Sequence, residues 1–586
     1  MNSIYIMRIE EIVSEVSALK AERRFDEAIS ILDQKLPDHE LNLPHLLHKA
    51  EMLYDLRALE RAYALYEHIL SSDLEDDSEV RYAYARRLYN QGLAKNAQCV
   101  LAEVKKIEQR KGLKSYLDKI NQLCSLIERL EGKVIPLGQD TRILAMKHAI
   151  LSFRDRTIVP PPDGKIGKIA LCTGTLGAGG AERQLSRLAI ELTKKWRSMQ
   201  SVADLVVDHP VELIIRSLAP ARGHDFFLKE VQDGGVDLQE VDSLKVSDFD
   251  PSQYGNADFR ILLSHLPAIC NYGVQRLTPH FLKTRPEFLS VWQDGACLLA
   301  GLAALIAGVP RIQLGLRGLP PSMREHLFRP EYELLYQALA SIPGVDFMSN
   351  NRRVAVEYGK WLNIGDEKFR VVYNGVQKPI TRKADELDAI WSEFVGKTHD
   401  AEITIGGVFR FAKDKRPNLW VRFAASYLSR NPRARFVLVG GGDLLPNVIA
   451  LADKLNISDR ILFVGASKDV GYWMKKMNVF VLLSRFEGLP NVLIEAQMMG
   501  IPVVSTPAGG SAECFIDHVS GRCLDELVDV DLNQVCECVD SFFETGCQSS
   551  HFSSDVMNFL NQNFSIEGMV TRFVETIREP ASVCLE

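Results

Sequence analysis

The stretch KIALCTGTLGAGGAERQLSRLAIELTKKW, residues 168–196, decides how most of this chain is read. KIALCTG has the composition of a buried strand, LGAGGAE is a glycine-rich turn, and RQLSRLAIELTKKW repeats apolar residues at helical spacing. Strand, tight turn and helix in that order open a parallel α/β unit, and the texture continues outward from it. VELIIRSL, RILLSHL, FLSVWQ and RIQLGLRG read as further strands separated by helical stretches. A second series begins at EITIGGVFRF (402–411) and runs through ARFVLVGGG, RILFVG, VFVLLS and PVVSTP. Such alternation implies parallel sheets covered on both faces. The expected fold is therefore α/β, with two Rossmann-like doubly wound domains over residues 167–375 and 376–565. VVYNGV (371–376) passes the chain between them, and a terminal helix and tail occupy 566–586.

Upstream, residues 1–135 read as helices only, because apolar residues recur at helical spacing with few glycines or prolines. The segment repeats: ERRFDEAISIL, DLRALERAYALYEHIL and YNQGLAKNAQCVL place Ala28, Ala62 and Ala97 at near-equal intervals. That period suits tetratricopeptide-like helix pairs, in which a small residue admits the neighbouring helix; an irregular bundle is the competing reading. Either way this is an all-α domain expected to dock a protein partner. Residues 136–166 read as a linker that ends in the proline- and glycine-rich TIVPPPDGKIG.

Composition narrows the function classes. The 586 residues are 46% hydrophobic and 25% charged, close to the globular average, with a net charge of -7 that argues against nucleic acid as a partner. The N-terminus meets charge too early for a signal peptide, and the apolar run ACLLAGLAALIAGVP (296–310) is shorter than a membrane span needs. A cytoplasmic location is expected, with its eleven scattered cysteines reduced and no metal site. The Asp529-Val530-Asp531 triplet reads as a solvated charge cluster outside the strand-end loops.

In open α/β sheets the chemistry gathers beyond the carboxyl ends of the strands. After KIALCTG, Gly179 and Gly180 can bring backbone N–H groups close to a phosphate or an acceptor, with a simple tight turn as the rival reading. After GGVFRF comes RFAKDKRPN, where Arg410 and Lys415, with Lys413 and Arg416 beside them, suit a diphosphate unless the loop is merely a solvated basic one. After VFVLLS, the stretch FEGLPNVLIEA carries Glu487 in the loop and Glu495 about one turn into a helix. Leu489, Asn491 and Val492 place backbone N–H groups at that helix start, with Pro490 in the first turn. Glu495 sits among apolar neighbours and, if packed, needs a hydrogen-bonding partner such as a sugar hydroxyl.

The pattern of Glu487 and Glu495 in EGLPNVLIEAQMMGIPVVSTPAGG, with FRFAKDKRPNLWVRFA and FVLVGGGDLLPNVIALADKLNISDRILFVG, resembles the retaining glycosyltransferases of family 4, which have the GT-B fold. The resemblance covers about residues 168–580. It implies that Arg410 and Lys415 hold the donor diphosphate, that Glu487 contacts the donor sugar and that Glu495 binds the nucleotide ribose. The base would lie near Arg460–Gly465, the Gly177–Gly180 loop would face the cleft, and FSIEGMVTRFVETI would be the helix that crosses back. One departure stands out. Many members carry a histidine after the N-domain strand, where VWQDGACLLAGLAA here has Trp292 near that position and Asp294 two residues on. Asp294 and His265 are the candidates across the cleft, against readings as a helix N-cap and a structural histidine. Arg317 either lines the cleft or pairs with a carboxylate.

The expected activity is transfer of a sugar, with retention, from a nucleotide-diphosphate sugar, a UDP-sugar in the first instance. The resemblance points to a hydroxyl of a glycan or lipid-linked molecule in capsule or lipopolysaccharide synthesis as the acceptor, with no further cofactor expected. A lipid-linked acceptor would bring the enzyme peripherally to the inner face of the membrane. Segments such as HFLKTRPEF or PPSMREHLFRP would make the contact. The rivals are a nucleotide-sugar epimerase of the same fold and an adaptor whose transferase domains are inactive.

Overall fold

The apolar runs pair into two parallel sheets, whose order is given by a computed structural model describing residues 2–72, 75–246, 254–381, 385–544, 552 and 554–578. The first sheet comprises β1 (Ile169–Thr173), β2 (Glu212–Ile215), β3 (Asp237–Glu240), β4 (Phe288–Trp292), β5 (Arg311–Leu316), β6 (Val345–Ser349) and β7 (Phe369–Val371). Its order is β7-β6-β5-β4-β1-β2-β3, and every pairing is parallel. The second comprises β8 (Ile403–Val408), β9 (Ala434–Val439), β10 (Ile461–Gly465), β11 (Val479–Leu482), β12 (Val503–Ser505) and β13 (Gly521–Cys523). Its order is β10-β9-β8-β11-β12-β13, again wholly parallel. Both sheets change winding direction after their third strand. The switch points fall between β1 and β4 and between β8 and β11, the places where open α/β sheets take their ligands.

Burial explains the composition of these elements. Every residue of β1, β4 and β5 is buried, as strands covered on both faces require. The helix Asp294–Ile306 that follows β4 is buried from Ala296 to Ile306, so the run ACLLAGLAALI is the apolar core of a domain. No helix among the described residues is long and apolar enough to cross a membrane. The helix Ile566–Arg578 returns to the first sheet: Phe573 meets Phe288 edge-on at 5.8 Å, and Gln313 Nε2 donates to Thr576 Oγ1 at 2.7 Å.

The chain divides into two units, one of Met1–Ala149 with Asp250–Pro267, the other of Ile150–Phe249 with Ala268–Glu586. The first unit is helical. Its helices include the pairs Asn2–Ala21 with Phe25–Lys35, Leu43–Asp55 with Leu59–Leu70, and Ser78–Asn90 with Ala94–Ala102. Ala28, Ala62 and Ala97 are fully buried on the second member of each pair, where a side chain larger than methyl would push the partner helix away.

Two expectations change. Within the residues read as a linker, 141–151 form a helix, because Ile143, Leu144, Met146, Ala149 and Ile150 share an apolar face that is buried. RILLSHL, read as a strand, lies mostly in the helix Ala257–Leu263. Asn256 caps it by accepting from the Phe259 N–H at 3.0 Å, and Phe259, Leu262 and Leu263 are its buried face.

Candidate active site

The loops after β8 and β11 flank the second switch point, and each carries one half of an ion pair. After β8 the chain turns through Lys413–Lys415, and Arg416 takes a left-handed conformation at φ 48°. The Arg416 guanidinium donates to the carbonyls of Leu483 (2.7 Å), Ser484 (2.9 Å) and Leu527 (2.7 Å), tying this loop to the end of β11. Of the four cations in RFAKDKR, Arg416 is thus structural. Lys415 Nζ stands 2.6 Å from Glu487 Oε1, and Arg410, 71% exposed, is 3.7 Å from Asp414. Lys415, Glu487 and Arg410 line a cleft of about 270 Å³ together with Arg317, Arg324 and His326, which follow β5 on the first sheet. The cleft thus sets a lysine point charge and an exposed guanidinium, groups suited to phosphoryl oxygens, next to a carboxylate that can accept from hydroxyls.

Glu495 lies in the helix Asn491–Met498 and is 7% exposed. The partner that its burial demands comes from the first sheet's domain: Arg183 Nη1 is 3.1 Å from Glu495 Oε1. Both residues line a second cavity of about 430 Å³, which Arg187, Phe226, Ser467 and Val492 also border. Pro490 is the residue before the helix, in extended conformation. Leu489 is buried, with its carbonyl accepting from Asn374 Nδ2 at 3.4 Å, and Asn491 Oδ1 accepts from the same amide at 2.7 Å. Of the residues expected around the base, Arg460 precedes β10 and binds Asp400 through two 2.8 Å bonds, whereas Ser467 and Lys468, beyond the strand's carboxyl end, border the cavity.

Burial raises the Glu495 carboxyl above its ordinary value, and Arg183 and Arg187 offset this only in part. A carboxyl raised on folding binds its proton more tightly in the native state. Its contribution to stability is therefore present below the ordinary glutamate range and lost as pH rises through the raised value. Glu495→Gln is expected to unfold at a higher temperature than the parent at pH 7.5, with the difference closing towards pH 4. Thermal unfolding across pH measures this, and a variant less stable at pH 7.5 contradicts it.

On the first sheet the candidates separate. The Gly179 N–H is used within its own turn, donating to the Gly177 carbonyl at 2.8 Å, and Gly180 begins the helix Gly180–Ser198. Asp294 does not cap its helix; Gln293 precedes the helix, and its side chain makes no cap bond. Asp294 Oδ1 accepts from the hydroxyls of Tyr336 and Tyr358, each at 2.7 Å, and Oδ2 lies 3.2 Å from Arg324. Burial and then the Asp294 charge hold both phenols well above their usual range. These partners tie the carboxylate to Arg324 and to the helices Glu331–Ala340 and Arg352–Leu362.

His265 is buried. It is 5% exposed in the helical unit, its Nε2 lies 2.9 Å from the Thr141 hydroxyl, and its ring packs against Tyr89 at 4.5 Å. Burial lowers its pKa to about 4, as suits a neutral core imidazole. Asp531 Oδ1 accepts from the Asn533 N–H at 2.8 Å, at the start of the helix Leu532–Glu544. Trp292 is buried under Arg317, whose guanidinium carbon lies 3.9 Å from the ring centroid. Arg317 Nη2 donates to Asn374 at 2.6 Å, and burial drives its pKa down to about 9.

Gln293, between Trp292 and Asp294, carries no charge that would single it out in the sequence. Its backbone stands at φ 76°, ψ 146°, a region that costs a side-chain-bearing residue of order 1–3 kcal/mol. Its carboxamide joins the end of β1 to the helix after it: Thr173 Oγ1 donates to Gln293 Oε1 at 3.0 Å, and Gln293 Nε2 donates to Glu182 Oε1 at 3.0 Å.

Paired doubly wound sheets with charged strand ends facing one cleft are the GT-B arrangement, and the comparisons agree. The family profile described as glycosyl transferases group 1 matches residues 392–532, the span from before β8 to past β13. The Vi polysaccharide biosynthesis protein VipC/TviE of Salmonella typhi is 53% identical over 560 residues, covering 95% of this chain and 96% of its own. The chain belongs to the group 1 glycosyl transferases. The UDP-Gal:alpha-D-GlcNAc-diphosphoundecaprenol alpha-1,3-galactosyltransferase of Escherichia coli is 27% identical over 248 residues, 40% of this chain and 61% of its own. Anabaena Alr3699/HepE, solved in complex with UDP, superposes with a TM-score of 0.54 at 15% identity. The match covers 70% of this glycosyltransferase and 99% of HepE, a likeness of fold.

Proposed function

We propose that this glycosyltransferase moves a sugar, with retention of anomeric configuration, from a UDP-sugar to a hydroxyl of a glycan or lipid-linked acceptor in bacterial surface polysaccharide synthesis. The observation that carries the reading is the Lys415–Glu487 pair at the second switch point, facing Arg317 across the cleft. As the glycosidic bond to the diphosphate breaks, charge develops on the β-phosphate, and Lys415 with Arg410 stabilises it. Glu487 accepts hydrogen bonds from the donor sugar's hydroxyls, and Glu495 accepts from the ribose in the neighbouring cavity. Two domains enclosing the donor exclude the water that would hydrolyse it.

The curated relatives support the substrate classes: one acts in Vi polysaccharide biosynthesis, and the name of another specifies a UDP-sugar donor and a diphosphoundecaprenol acceptor. Such an acceptor places the reaction at the cytoplasmic face of the membrane, with the helical unit free to dock a protein partner. The test is a panel of nucleotide sugars followed by thermal unfolding. A UDP-sugar near 100 times its Kd adds about 2.7 kcal/mol of stability. UDP release that requires acceptor supports transfer, release without acceptor points to a hydrolysing epimerase, and a panel in which no UDP-sugar shifts the transition refutes the assignment.

A further inference from the structure

The second sheet holds the donor ion pair at its switch point, and the first sheet has a switch point of the same topology between β1 and β4. There the carboxamide of the strained Gln293 bridges Thr173 and Glu182. Glu182 is in the first turn of the helix Gly180–Ser198, one residue before Arg183, whose guanidinium reaches Glu495 in the other domain. The carboxylate folds back over Gly179, where a Cβ would stand 1.9 Å from Glu182 Oε2. Glycine at 179 is therefore what makes room for this rotamer. The field of Glu182 also acts on the buried Arg317 of the cleft wall. The backbone outlier is fixed by its N–H, which donates to the Gly315 carbonyl at 3.0 Å, and by the two side-chain bonds, and such strain marks a position kept for its geometry.

We propose that Glu182 is the group that binds and orients the reacting acceptor, accepting a hydrogen bond from a sugar hydroxyl, and that Gln293 is its positioning residue. This rests on the glycosyl-transfer reading above. An ionised carboxylate offers only acceptors, so it selects an O–H, and the Gln293 amide on Oε1 sets the plane in which the remaining lone pairs lie.

The experiment uses the full chain, the UDP-sugar that the panel selects, and octyl glycosides of common hexoses and N-acetylhexosamines as acceptor probes. Glu182→Gln, which replaces an acceptor oxygen by a donor, lowers kcat/KM for the acceptor by about 10- to 100-fold, with the stabilisation by UDP equal to wild type. Glu182→Asp recovers part of the loss. Gln293→Gly relaxes the backbone, so its unfolding temperature holds or rises while acceptor kcat/KM falls; a merely structural glutamine would lose stability. Acceptor kcat/KM within about three-fold of wild type in Glu182→Gln overturns the proposal, as does a parallel loss of UDP binding. Failure of the wild-type chain to respond to any UDP-sugar removes the glycosyl-transfer reading, and this one with it.

Discussion

Lys415→Ala lowers kcat/KM for the donor by about 100- to 1000-fold, the loss that follows removal of one preorganised donor at a developing oxyanion. Lys415 is 19% exposed and Glu487 10%, so neither charge is dissipated by bulk water, and their 2.6 Å contact holds both in place before the donor arrives. Glu487→Gln keeps the shape and removes the charge; because it shares a contact with Lys415, the double variant loses less than the product of the single losses. Arg410→Ala loses less than Lys415→Ala, since that guanidinium is 71% exposed. Initial rates of UDP release over a range of donor concentrations give these values. A Lys415→Ala enzyme within about three-fold of the parent would remove the lysine from the mechanism.

Gly440→Ala is expected to destabilise the second sheet's domain by roughly 2–4 kcal/mol, lowering its unfolding temperature by roughly 5–10 °C. Gly440 sits at φ 142°, where only glycine is unstrained, and a Cβ there would stand 1.9 Å from the Phe409 carbonyl oxygen. The obstacle is backbone and cannot rotate aside. Relief requires the segment after β8 to move, yet Phe409 N–H donates to Val439 at 3.0 Å and Phe411 N–H to Gly441 at 2.9 Å, so the segment and the glycine loop are laced together. Arg410 lies between these two bonds, and donor kcat/KM falls with stability. Gly396→Ala is the control: it lies within the helix Asp385–Lys397 with nothing inside 4 Å of the added methyl, and alanine there is neutral or stabilising. Thermal unfolding of both variants, with and without UDP, checks the pair.

Most strands of both sheets were legible because each is an apolar run bounded by turn residues, whereas DLQE, VDFMS and GRC of β3, β6 and β13 were not read as strands; Lys415 and Glu487 were legible because each falls in a loop after such a run. RILLSHL misled because a short apolar run does not distinguish strand from helix; the Asn256 cap outside it did. Asp294 and His265 drew attention as reactive side chains beside strand-like runs. What neutralised them was remote in sequence: Tyr336 and Tyr358 for the first, 42 and 64 residues away, and Thr141 for the second, 124 residues away. Gln293 was passed over because an uncharged amide carries no titratable signal, and its strained backbone exists only in the folded chain.

By itself, then, the sequence determined most of the two series of strands, the loops that end them and the residue types those loops carry, since periodicity and turn chemistry are local. The tertiary structure decided which of those side chains are spent and which face a cleft. A carboxylate's role depends on the charges and donors within a few ångströms of it, and for Asp294, Glu487 and Glu495 those partners come from distant parts of the chain.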